Sequence, residues 1–124
     1  MPSIKILLVE DDPFLLSMYT TKFEAEDFKV VIADDGEKGL RLAEKENPHI
    51  ILLDIMLPKM DGLTVLENIR KNNKIKNVPV ILLTNLSQKD EINRAMELGA
   101  ADYLIKAHFM PSEVVEKIKK ALKL

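Results

Sequence analysis

Polar side chains stand where four apolar runs stop. Ile6-Leu7-Leu8-Val9 runs into Glu10-Asp11-Asp12, and Ile50-Ile51-Leu52-Leu53 into Asp54. Val80-Ile81-Leu82-Leu83 runs into Thr84, and Tyr103-Leu104-Ile105 into Lys106. Carboxylates, a hydroxyl and an ammonium delivered by the same ends of four strands make a site. Two carboxylates about 4 Å apart repel by roughly 4 kcal/mol at an effective dielectric near 20. Three converging acids therefore need either raised pKa values or a cation. Mg²⁺ suits the second solution, being a hard ion with oxygen ligands that keeps several waters and can share phosphate oxygens.

The elements that must position these groups alternate along the chain. Residues 4–9 read as a strand, β-branched at Ile4, Ile6 and Val9. Asp12-Pro13 reads as an N-cap followed by proline at the first helical position, opening a helix near residues 13–26. Val30–Ala33 is a second strand, and Asp34-Asp35-Gly36 turns the chain into a second helix that Asn47-Pro48 ends. Ile50–Asp54 is strand three, about Asp61–Asn72 helix three, and Pro79–Leu83 strand four. A fourth helix over roughly Gln88–Leu98 stops at Gly99, strand five covers about Ala101–Ile105, and a fifth helix starts near Pro111. Five strands alternating with five helices predict an α/β fold, a doubly wound parallel sheet covered on both faces. Right-handed crossovers then point every strand's C-terminal end at one edge, where open α/β sheets place their ligands.

Bulk properties narrow the classes. The 124 residues suit one domain over 1–124, and 47% apolar with 31% charged residues is a globular composition. A net charge of −2 gives no reason to expect nucleic-acid or membrane binding, and no run nears the roughly 18–20 apolar residues of a membrane span. No signal-peptide pattern opens the sequence. The absence of cysteine excludes disulfides, thiolate metal sites and cysteine catalysis, and fits a reducing cytoplasm. With 5% aromatics and no Trp, an aliphatic core is expected, with the methionines as filler.

Leu8-Val9-Glu10-Asp11-Asp12, Leu53–Pro58, Asp61-Gly62, Leu83-Thr84 and Asp102–Lys106 together resemble the receiver domains of bacterial response regulators. The resemblance covers essentially the whole chain, with five separated motifs in order. It implies a flavodoxin-like sheet of order 2-1-3-4-5, with Asp54 as phosphoacceptor and Glu10 and Asp11 as the acidic pair that holds a divalent cation. Thr84 corresponds to the switch hydroxyl, Lys106 to the site lysine and Tyr103 to the switch aromatic. The expected ligands of Mg²⁺ (or Mn²⁺) are Asp11, Asp54 and the Met56 backbone carbonyl, with Glu10 direct or through water. Asp12 is expected to cap its helix instead. The implied donor is a sensor histidine kinase or a phosphotransfer protein, and the implied location is the cytoplasm. The implied function is a signalling switch read out by helix four, strand five and helix five. The chain is expected to be no conventional enzyme, and to be either a stand-alone regulator or one part of a longer one.

The chain also departs from that pattern. Ala107 follows Lys106 where receivers usually carry proline after a cis bond. A cis non-proline bond costs about 2.5–4 kcal/mol, which predicts a trans bond and a rebuilt loop. Asn85 stands where a very small residue is usual. Bulky, apolar Met56 and Leu86 occupy the positions that line the approach of hydrolytic water, predicting slow self-dephosphorylation. His108 is close enough in sequence to Lys106 to line the site. An aspartate-nucleophile phosphatase of the haloacid dehalogenase type would need an acid where Met56 stands. A nucleotide-binding module would need a glycine-rich loop after strand one.

Overall fold

Alternating apolar and amphipathic segments build the predicted doubly wound sheet. A computed structural model describes residues 3–85, 87–106 and 110–124. The strands are β1 (Lys5–Val9), β2 (Lys29–Ala33), β3 (Ile50–Asp54), β4 (Val80–Thr84) and β5 (Asp102–Ile105). Between and after them lie α1 (Pro13–Ala25), α2 (Gly36–Glu46), α3 (Gly62–Lys71), α4 (Lys89–Glu97) and α5 (Pro111–Ala121). All neighbours pair in parallel, in the order β2-β1-β3-β4-β5.

Alternate strand residues feed two separate cores. Leu7, Val9, Ile51, Leu53, Val80 and Leu82 face Ala43 of α2, Val65, Leu66 and Ile69 of α3, and Ala95 of α4. Ile6, Leu8, Ile50, Leu52, Ile81, Leu83 and Leu104 face Tyr19 and Phe23 of α1 and Val114, Val115 and Ile118 of α5. Each fully buried Leu, Ile or Val contributes about 1.5–3 kcal/mol. Burial on both faces explains why β3 and β4 are apolar at successive positions. The edge strands β2 and β5 are only partly covered, so the uniform burial expected of every strand holds for the central three alone.

Two expectations about the core need correction. It is not purely aliphatic: the Tyr19 and Phe23 rings stack at 5.8 Å, and Phe28 meets Phe23 edge-on at 6.4 Å. Nor are the methionines all filler. Met56, Met96 and Met110 are exposed, because they fall on a loop, on the outer side of α4 and at the start of α5.

Aspartates begin the first three helices. The Asp12 carboxylate accepts from the Phe14 amide at 2.9 Å, with Pro13 at the first helical position. Asp35 accepts from the Lys38 amide at 2.8 Å and Asp61 from that of Thr64 at 2.9 Å. Such a cap is worth about 1 kcal/mol. Before α4 and α5 stand Gln88 and Met110, neither making a side-chain cap. At the other ends, α2 stops on Asn47 before Pro48 as expected, with Asn47 in the left-handed region. Gly99, with φ +83°, takes up the turn after α4 as expected.

Candidate active site at the C-terminal edge of the sheet

Register fixes where the polar groups emerge. Val9 pairs with Leu53, Asp54 with Leu83, and Thr84 with Ile105, so Glu10, Asp54, Thr84 and Lys106 leave the sheet along one edge. Backbone crowding holds the loop after β3 in place. A Cβ on Gly62 would lie 2.2 Å from the Asp54 carbonyl oxygen, and one on Gly36 would lie 1.7 Å from that of Met60. Glycine is therefore required at both positions by close approach, and the amide of Gly62 donates to the Ile55 carbonyl at 2.8 Å.

The acids converge. Glu10 is fully buried, and its Oε2 accepts the amides of Asp11 at 2.9 Å and Asp12 at 3.1 Å. Asp54 is 2% exposed, and its Oδ1 accepts the Met56 amide at 3.1 Å. Ligand oxygens of Glu10, Asp11 and Asp54 all lie within 4.8 Å of one another. Lys106 reaches in from the end of β5: its Nζ is 2.6 Å from Asp54 Oδ2 and 2.9 Å from Glu10 Oε1. Glu10 Oε1 is buried against the Lys106 ammonium, which leaves one of its lone pairs open.

The charges are unbalanced. Burial pushes the Glu10 carboxyl above its ordinary pKa, with Asp54 adding to the push and Lys106 opposing it. Asp11 is raised too, by desolvation first and then by Glu10 beside it. Burial works against the charge on Lys106, but its contacts with Asp54 and Glu10 outweigh that cost and raise its pKa. One ammonium cannot offset three carboxylates. A hard divalent cation fits the surplus, the oxygen-only donor set and the open lone pair of Glu10. Asp12, as expected, caps α1 and stands outside the trio.

Thr84 at the edge and Tyr103 within β5 do not join the cluster. The Thr84 hydroxyl is fully buried, 3.0 Å from Gln88 Oε1 and 3.2 Å from the Asn85 carbonyl, two acceptors for one proton. Tyr103, paired in register with Leu82, is 39% exposed. Met56 meets the site through its amide while its side chain is 62% exposed. Sequence reasoning missed Gln88, which is 8% exposed and also accepts the Asn85 amide at 3.0 Å. The available signal was a long amide side chain four residues after Thr84, at the mouth of a helix. The expectations for Leu86, the Lys106–Ala107 bond and His108 fall outside the described residues.

Residues 6–119 match the response regulator receiver domain family, and the chain belongs to it. The alkaline phosphatase synthesis transcriptional regulatory protein PhoP of Bacillus subtilis is 36% identical over 119 residues, 96% of this chain and 48% of PhoP. The chain spans about half the length of the curated relatives it matches. Among solved structures, the receiver domain of sensor histidine kinase PA1611 from Pseudomonas aeruginosa is 28% identical with a TM-score of 0.89, covering 99% of this chain and 100% of that one. That domain holds a magnesium ion in its active-site cleft. The BeF3-activated receiver domain of RstA from Klebsiella pneumoniae is 31% identical with a TM-score of 0.86, covering 97% and 99%. The chain is thus a receiver domain of the two-component type, whose general role is to accept a phosphoryl group.

Proposed function

We propose that Asp54 is the phosphoacceptor of a signalling switch, charged by a sensor histidine kinase or a phosphotransfer protein. A carboxylate oxygen of Asp54 forms the new bond to phosphorus as the donor's bond to phosphorus breaks, and that electron pair leaves with the donor. The product is an acyl phosphate. The observation that carries this reading is the convergence of Glu10, Asp11 and Asp54 within 4.8 Å, with Lys106 bonded to the buried Asp54.

Glu10, Asp11, Asp54 and the Met56 carbonyl are the residues that would hold Mg²⁺ or Mn²⁺. When bound, the cation supplies neutralisation of phosphoryl oxygen charge. The Lys106 ammonium is placed to meet a second oxygen, and the Thr84 hydroxyl with the Asn85 amide a third. The phosphoryl brings about −1.5 to −2 charge and strong acceptors, enough to bias a two-state element. Thr84 then turns to the phosphoryl, Tyr103 turns inward, and the α4–β5–α5 face changes for a partner. The domain works as a switch rather than a conventional enzyme, in the cytoplasm. Bulky Met56 leaves hydrolytic water no polar guide, which favours a long-lived acyl phosphate.

The test is incubation with acetyl phosphate and Mg²⁺, followed by intact mass of wild type and Asp54→Asn. Wild type should gain one phosphoryl group and Asp54→Asn none. A gain retained in Asp54→Asn moves the acceptor elsewhere.

A further inference from the structure

Gln88 carries a buried amide that the phosphoacceptor chemistry does not use. Two donors approach its Oε1: the Asn85 amide donates at 3.0 Å, and the Thr84 hydroxyl, whose one proton is shared with the Asn85 carbonyl, lies at 3.0 Å. These are the two donors assigned above to an incoming phosphoryl oxygen. The backbone of Gln88 is equally committed, its amide donating to the Asn85 carbonyl at 3.2 Å and its carbonyl accepting from Ile92 at 3.0 Å. The start of α4 and the switch hydroxyl are therefore tied through one side chain. That side chain does not cap the helix it precedes.

We propose that Gln88 is a positioning residue that holds the switch off, its side-chain oxygen occupying the donors a phosphoryl oxygen must capture. The inference rests on the phosphoacceptor reading and adds a competitor to it. Phosphorylation has to displace Gln88 Oε1 from Thr84 and Asn85, and the displaced side chain carries the news to the first turn of α4. The strength of this internal bond sets how readily the domain switches.

The experiment compares wild type, Gln88→Met and Gln88→Glu. Methionine keeps the length and helix propensity and removes the acceptor, while glutamate keeps an acceptor at the same reach. Two readouts are taken: hydrogen exchange of the Asn85 amide without phosphoryl donor, and the rate of Asp54 modification at subsaturating acetyl phosphate. In Gln88→Met the exchange should speed up and the rate should rise roughly threefold to tenfold, the worth of one neutral hydrogen bond. In Gln88→Glu both should stay at or below wild type. A Thr84→Ala background should shrink the gain in rate, because the effect passes through that hydroxyl. Unchanged exchange and rate in Gln88→Met, with wild type still modified at Asp54, overturn the role of Gln88. A wild type left unmodified overturns the phosphoacceptor reading itself and with it the competition. Should Gln88→Met not fold, Gln88→Leu removes the same acceptor and is read the same way.

Discussion

Two partly buried cations, one at each edge of the sheet, are used in opposite ways. At the N-terminal edge, Arg70 of α3 donates to the carbonyls of Leu98 at 2.9 Å, Gly99 at 3.0 Å, Lys76 at 3.0 Å and Val78 at 2.9 Å. Its planar fork joins the segments that lead into β4 and β5, and burial lowers its pKa. At the C-terminal edge, Lys106 faces carboxylates that outnumber it. The first cation is consumed by neutral acceptors and staples the fold. The second leaves a surplus of negative charge and an open lone pair, which is stability withheld for a ligand. Both groups are polar and partly buried, so burial alone does not mark a site. The unbalanced charge does.

Breaking the functional edge should have the largest effect. Asp54→Asn should abolish phosphoryl uptake by intact mass and, by relieving repulsion, leave the domain without Mg²⁺ as stable as wild type or more so in urea unfolding. Breaking the structural edge comes next. Arg70→Met should destabilise the domain by about 2–6 kcal/mol, given four hydrogen bonds each worth about 0.5–1.5 kcal/mol net. It should preserve the rise in Tm that Mg²⁺ produces. Arg70→Lys should recover little, because an ammonium cannot reproduce the fork.

Lys106→Met sharpens the contrast with a smaller effect. Losing the competing charge should tighten Mg²⁺ binding by calorimetry while slowing phosphoryl uptake. The smallest effect is on pH. Glu10 and Asp11 have folded pKa values raised above those of ordinary carboxylates, roughly 4 in unfolded chains. A raised acid destabilises the fold above its folded pKa, and that penalty is relieved as pH falls through it towards the unfolded value. Without divalent ion, these two groups should therefore add stability on mild acidification from neutrality. The increment from Mg²⁺ should shrink over the same range, since protons and metal compete for the same oxygens. Thermal melts with and without Mg²⁺ across that range check both signs.

Much of this was legible in the sequence because it is local. The apolar runs of β1, β3 and β4 and their polar ends needed only period and register to place Glu10, Asp54, Thr84 and Lys106 on one edge. Asp12-Pro13 and Gly99 announced a helix start and a helix stop through backbone preference alone. The misses depend on tertiary placement. Gln88 reads as an ordinary helix-mouth residue until the turn after β4 brings its amide under Thr84. The stacking of Tyr19 on Phe23 beside Phe28 depends on which side of the sheet α1 takes. The exposure of Met56 depends on a loop pulled back so tightly that its side chain has only solvent to enter.

Gly62 turns that tight loop into a mechanical linkage. Its backbone abuts the carbonyl of Asp54 with no side-chain cushion between them. A torque applied to the front of α3, whether from a docked protein or an adjoining domain, would thus reach the main chain of Asp54 with no rotamer to absorb it. A body leaning on that helix could re-aim the carboxylate without touching it.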